Sequence, residues 1–297
     1  MPEGDTVLRT ARRLHAALAG STLVRTELRW PDLGDVDLTG RTVTEVAAYG
    51  KHLLTRMAGD AGSEPLTLRS HLRMEGQWLI APPGDAHWPK AAGVSVRAVL
   101  STADWTAIGR WLGLLDLVPT AAEGTLIGHL GPDIMTDTFP GTGRAESIAR
   151  IAATPQRHIG AALLDQTTVA GIGTMYMAEA LFVQRLSPWT PVAEVDLAAL
   201  LDTARRLLLR GVTSALPSTT GNPRPGANTY VHGRSGRPCV RCGAIVRVAP
   251  IGPALKERTA FYCAGCQPGP TPTDDGRVRR PLGAKADTTR TGYRRLR

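Results

Sequence analysis

No apolar run in this chain approaches the roughly 20 residues that a membrane-crossing helix needs, so no membrane span is expected. The amino terminus also lacks the apolar core of a secretion signal, because Asp5, Arg9, Arg12 and Arg13 interrupt it. A cytoplasmic protein is therefore the expectation. Cysteine is scarce: the chain holds only four, and in a protein without a secretion signal disulfides are not the expected use of them. Acidic side chains run out toward the carboxyl end. Residues 221–268 carry 7 basic and 1 acidic side chains, and residues 269–297 carry 8 and 3, for nets of +6 and +5. Residues 1–118 balance at 13 and 13, and residues 119–220 carry 7 and 9. The whole excess of +9 thus lies in the last 77 residues, the distribution of a segment that tracks a polyanion.

What is present suits a soluble protein with real cores: 297 residues, 42% of them hydrophobic, give room for two domains and a small third module. The clearest local signal is Cys239-x2-Cys242 followed, after 20 residues, by Cys263-x2-Cys266. Each pair wraps one side of a tetrahedral ion, so one structural zinc is expected. Four thiolates leave no open coordination position for catalysis. The residues between the pairs read as a two-stranded hairpin with Arg258 near its tip. Zinc binding contributes about 10–16 kcal/mol to folding such modules, so this one is expected to need its metal.

The other end of the chain is unusual chemically. Pro2 follows Met1, and removal of Met1 would leave a secondary amine on a stiff ring. Such an amine can attack an aldehyde-like carbon and give an iminium. Glu3 adds a carboxyl suited to moving protons beside it. Asp5 or Thr6 is expected to cap a helix whose inner face is Val7, Ala11, Leu14 and Leu18, and Gly20 to end it. Alone, these residues also fit an ordinary start before a helix.

Alternation predicts strands at 23–30, 42–48, 52–57, 66–70, 77–80 and 94–100. Short strands with one leading helix imply a β-sandwich or flattened barrel over 1–118. Lys51 lies at a bend between two of them, and Met74 at the tip of another. A solvated lysine and a gap-filling methionine are the plain readings of those two residues. Residues 119–143 read as a linker, with Ile134 and Met135 as its apolar points. Helices follow over 144–153, 159–165, from Thr174, and over 196–210, making an all-helical domain at 144–220. Gly171-Ile172-Gly173 turns into the Thr174 helix, and free N–H groups there would seat a phosphate. Residues 216–226 read as a mobile connection. Residues 221–267 form the zinc module, and 268–297 a disordered basic tail.

Taken in order, PEGD, YGKHLLT, SHLRMEGQW, DQTTVAGIGTMY and the cysteine hairpin resemble the formamidopyrimidine-DNA glycosylase / endonuclease VIII family. The resemblance spans about residues 1–267. It implies an α+β multidomain fold: an N-terminal β-sandwich with a flanking helix, a helix–two-turn–helix domain, and a zinc-ribbon hairpin. It also implies a base-excision enzyme acting on damaged DNA, both glycosylase and abasic-site lyase. Pro2 would attack C1′, Glu3 would shuttle protons, and Lys51 would contact DNA near the lesion. Strand cleavage would follow by β,δ-elimination. Met74 would fill the gap left by the extruded nucleotide. Gly171, Gly173, Thr174 and Arg258 would grip phosphates.

Two departures stand out. Thr174 occupies a position where the family usually has Asn, with shorter reach and fewer bonds. Residues 108–118, IGRWLGLLDLV, lack the Arg-Phe pair of the formamidopyrimidine branch, which points to the endonuclease VIII branch and oxidised pyrimidines. A non-catalytic lesion-binding protein is the competing reading, although it leaves the terminal proline unexplained. A monomer is expected.

Overall fold

The computed structural model describes residues 2–59, 63–83, 93–213 and 218–272. Helix α1 (Gly4–Leu18) opens the chain and buries Val7, Ala11, Leu14 and Leu18, the face its 3.6-residue spacing sets. Its cap differs from expectation. Glu3 holds the N-cap position without capping α1, and Asp5 and Thr6 already lie inside the helix. At the other end α1 stops at Leu18, and Gly20 follows at φ +79°.

Among the described residues eight strands follow: β1 (Arg25–Leu28), β2 (Val43–Tyr49), β3 (His52–Met57), β4 (Leu66–His71), β5 (Gln77–Ala81), β6 (Val96–Ser101), β7 (Thr106–Arg110) and β8 (Leu114–Pro119). They form two antiparallel sheets, ordered β1-β6-β7-β5 and β2-β3-β4-β8. Alternate residues from both sheets, among them Leu53, Leu68, Trp78, Leu100 and Leu115, enclose one core with the inner face of α1. Strands β7 and β8 lie beyond the strands that alternation predicts. In β7 the apolar alternation breaks at Gly109, where a Cβ would lie 2.5 Å from Leu112 and 3.2 Å from Trp78. Glycine is there to admit those side chains.

The expected linker is packed rather than loose. It contains α2 (Gly124–Ile127), and Ile134, Met135 and Phe139 are buried in the next core. Arg56 on β3 pairs with Glu123, and the Arg69 guanidinium on β4 donates to the Leu126 carbonyl, pinning the segment to the sheet. Helices α3 (Arg144–Ala152), α4 (Ile159–Leu164), α5 (Thr174–Val183) and α6 (Leu197–Val212) build the second core. The Asp196 side chain caps α6 by accepting from Ala199 N. Helix α5 is buried nearly all round, so it forms the axis of this domain.

Strands β9 (Arg247–Ile251) and β10 (Arg258–Tyr262) pair antiparallel, with Arg258 opposite Ile251. They pack on the far side of α5 through Phe182, Val246, Val248 and Phe261. The connection expected to be mobile is tied down from Ser218 onward: Thr219 is buried and its amide donates to the Asn228 carbonyl. Residues 214–217 lie outside the described residues, as does the basic tail from 273 on. Among the described residues no helix is long and apolar enough to cross a membrane.

Candidate active site

Three consecutive residues of one turn hold three different parts of the candidate site. The Gly171 carbonyl accepts from Gly4 N at 2.9 Å. The Ile172 carbonyl accepts from Lys51 Nζ at 2.5 Å. The Gly173 amide donates to Glu3 Oε2 at 2.7 Å, and Met175 N and Tyr176 N complete the cradle at 2.8 and 3.2 Å. Glu3, only 1% exposed, therefore caps α5, a helix 170 residues away in sequence. Its carboxyl group sits at the positive end of that helix.

This arrangement corrects the expected phosphate seat. Three N–H groups at the start of α5, those of Gly173, Met175 and Tyr176, are taken by a carboxyl group of the chain itself. Gly171 N is engaged as well, donating to Gln166 Oε1. Thr174 is half-buried, and its hydroxyl makes no hydrogen bond among the described residues. It remains the one candidate phosphate ligand at that helix start.

The turn is built for closeness. Gly171 adopts φ +105°, which favours glycine, and a Cβ on Gly173 would fall 2.5 Å from Glu3 Cδ. The bend carrying Lys51 nests against it, since a Cβ on Gly50 would meet Ala170 Cβ at 2.9 Å. Asp5 secures the start of α1 by accepting from the Tyr176 hydroxyl at 2.7 Å. Pro2 is partly exposed and directly precedes buried Glu3 in the chain.

Charges in the cluster are poised by burial. Burial pushes the Glu3 carboxyl up, while Lys51 and the Met175 and Tyr176 amides pull it back down. Burial brings the Lys51 ammonium down to about 8; Glu3 opposes that shift, and the charge of Arg258 adds to it. Arg258 is exposed at the start of β10. Sequence reasoning missed two neighbours. His52 and His71 lie across the strand pair with ring centroids 4.9 Å apart. Burial brings them down to about 3 and 4, so both stay neutral at physiological pH.

His71 also shapes the loop beyond it, its Nδ1 accepting from Arg73 N at 2.9 Å. Arg73 turns through φ 51°, and Met74 stands 64% exposed at the tip. The β7–β8 loop packs on the Arg73 side chain at Gly113 and presents Trp111, 46% exposed at φ 51°. Two apolar side chains therefore project from neighbouring loops. Trp111 gave no signal in sequence, because only its backbone geometry and exposure distinguish it from a core residue.

The four cysteine sulfurs lie within 4.8 Å of one another, with Cys242–Cys263 at 3.5 Å and Cys239–Cys266 at 3.9 Å. A tetrahedral zinc tetrathiolate needs about 3.8 Å between sulfurs, so the set fits that ion. Gln267 braces it, accepting from Cys263 N and donating to the Leu186 carbonyl. Buried Glu179 on α5 ties the module to the axis by accepting from Thr219 Oγ1, Tyr230 N, Val231 N and His232 N.

Comparison with known proteins agrees with this architecture. Residues 1–111 match the formamidopyrimidine-DNA glycosylase N-terminal domain, and residues 130–220 the formamidopyrimidine-DNA glycosylase H2TH domain. The chain is 45% identical to the probable endonuclease 8 2 of Streptomyces coelicolor, over 94% of this chain and 98% of that one. It is 39% identical to the DNA-(apurinic or apyrimidinic site) lyase Nei2 of Mycolicibacterium smegmatis, over 90% and 99%. Among solved structures, the Lactococcus lactis formamido-pyrimidine DNA glycosylase non-covalently bound to DNA containing an AP site superposes with TM-score 0.72. That match covers 90% of this chain and all of the other at 22% identity, a likeness of fold.

Proposed function

Since the chain belongs to the formamidopyrimidine-DNA glycosylase / endonuclease VIII family, on its endonuclease VIII side, we propose that it is a DNA glycosylase and abasic-site lyase of base excision repair that removes oxidised pyrimidines. The observation that carries this reading is the Gly171–Gly173 turn, which gathers the start of α1, Glu3 and Lys51. A binding module has no use for a buried carboxyl group directly after a terminal proline, with a lysine docked on the same turn.

Once Met1 is removed, the Pro2 nitrogen attacks C1′ of the extruded nucleotide. The bond to the base breaks with its electron pair, and the base takes up the proton that the Pro2 nitrogen gives up. Glu3, in the protonated form that its burial favours, passes that proton to the sugar ring oxygen as the ring opens, leaving a Pro2 iminium and a Glu3 carboxylate. The iminium acidifies C2′; loss of that proton expels the 3′ phosphate, and a second elimination expels the 5′ phosphate. Hydrolysis then frees the amine.

Lys51 and Arg258 supply positive charge for the flanking phosphates, with Thr174 adding a neutral hydroxyl. Met74 and Trp111 occupy the space vacated by the flipped nucleotide. Cys239, Cys242, Cys263 and Cys266 hold one structural zinc, which keeps the hairpin folded and Arg258 in place. The protein works as a cytoplasmic monomer on damaged DNA.

The test is incubation with end-labelled duplexes carrying one oxidised pyrimidine, one oxidised purine or an abasic site. The expected result is cleavage with phosphate at both new ends, fastest for the pyrimidine among the damaged bases. Gel shift without cleavage on any substrate would overturn the reading in favour of lesion binding alone.

A further inference from the structure

The turn that gathers the site is itself held by a side chain to which no role has been given. Gln166 follows α4, and all three of its side-chain bonds go to backbone. Oε1 accepts from Gly171 N at 3.1 Å, and Nε2 donates to the Leu164 carbonyl at 3.1 Å and to the Ile172 carbonyl at 2.9 Å. The Ile172 carbonyl is also the acceptor of Lys51 Nζ. One oxygen therefore takes both donors, one on each of its lone pairs.

We propose that Gln166 is a positioning residue for Lys51: its amide aims the Ile172 carbonyl and completes the acceptor on which the lysine ammonium docks. The proposal rests on the glycosylase/lyase reading for its kinetic consequence, although the geometry stands without it.

Several features make the amide fit this task. Its donor satisfies one lone pair of Ile172 O, leaving a single site for the ammonium and fixing its direction. Its acceptor clamps Gly171 N, in a residue at φ +105°, a conformation that favours glycine. The Gln166 backbone is secured too, because its carbonyl accepts from Gly131 N at 2.8 Å. Next to it, Asp165 pairs with Arg157 and accepts from the amide and hydroxyl of Thr167, so the start of the loop is rigid. Asn is one methylene shorter and would not span from this anchor to both Gly171 and Ile172. Glutamate has the shape but lacks the donor. It would turn a lone pair toward Ile172 O and place a negative charge one carbonyl away from the ammonium.

The charged groups facing Lys51 are Glu3, which favours its protonated form, and Arg258, which opposes it; His52 and His71 stay neutral. A carboxylate at position 166 would join Glu3.

The experiment compares wild type, Gln166→Glu and Gln166→Met in the full-length, zinc-loaded protein. The first readout is the titration of Lys51 itself, followed by competitive acetylation with acetic anhydride across pH and quantified by mass spectrometry of its peptide. Wild type should titrate near pH 8, and Gln166→Glu about one unit higher. The second is the single-turnover rate on abasic DNA. Gln166→Met should lose about 10- to 100-fold in rate with KM changed less than threefold and its melting temperature within a few degrees of wild type. A Lys51 titration that does not move in Gln166→Glu would overturn the proposal, as would a Gln166→Met rate within threefold of wild type. A wild type that cleaves nothing, together with the expected labelling shift in Gln166→Glu, would instead sink the enzymatic reading and leave the positioning role standing.

Discussion

Replacing Gly173 by alanine should disable the site through one displaced carboxylate. The Gly173 backbone is extended at φ −125° and ψ −163°, which alanine adopts without strain. The added Cβ would lie 2.5 Å from Glu3 Cδ, 2.6 Å from Oε1 and 2.8 Å from Cγ. Ordinary contact requires roughly 1 Å more, and a shift of that size from productive geometry costs on the order of 100-fold. Glu3 would also lose amide bonds at the start of α5, each worth about 1.5–3 kcal/mol as a bond to a charged group. Proton transfer by a positioned side chain contributes about 10²–10⁴-fold. Base excision should therefore fall by about 10²–10³-fold, or ~3–4 kcal/mol of transition-state stabilisation. Single-turnover excision on a duplex with one oxidised pyrimidine reads this directly, with circular dichroism to confirm the fold. Gly124→Ala, where a Cβ meets nothing within 4 Å, is the matched control. A Gly173→Ala rate within threefold of wild type would refute the claim that the turn seats Glu3 for catalysis.

Three further outcomes are expected. The Lys51 ammonium, brought down to about 8 from an ordinary 10.5, is lost in the folded protein as pH rises through 8. Affinity for abasic DNA should weaken above that pH, as binding isotherms at several pH values would show. Between those two values the unfolded chain holds the extra proton, so this group's contribution to stability should rise with pH. Glu179→Ala strands four donors around a buried site and should cost about 3–5 kcal/mol, lowering the melting temperature by on the order of 10 °C. A drop under 2 °C would contradict the clamp. Stripping zinc with a chelator should unfold the β9–β10 hairpin and weaken DNA binding while the β-sandwich stays folded. Metal analysis with amide hydrogen exchange over 239–266 checks both.

Some of this was readable along the chain and some was not. The inner face of α1, the span of α6 and the cysteine spacing depend on near neighbours, so periodicity and local chemistry reveal them. The role of Glu3 depends on residues 170 positions away. In sequence, a free helix start after Gly171-Ile172-Gly173 looks the same whether a phosphate or the chain's own carboxylate occupies it. Strand β7 hid because Gly109 serves Trp78 and Leu112 rather than the strand's own alternation. The segment around Ile134 and Phe139 looked like a linker because its burial comes from α5 and α6, not from any repeat of its own. Trp111 is distinguished only by a left-handed backbone and exposure, which composition does not carry.

The most direct test is to trap the protein on abasic-site DNA with borohydride and map the adduct by peptide mass spectrometry. The adduct should lie on the peptide beginning at Pro2, at one DNA per chain, and should vanish when Met1 is retained or the Pro2 nitrogen is acetylated. Full-strength trapping with that nitrogen blocked, or an adduct mapped to Lys51 or elsewhere, would contradict the account.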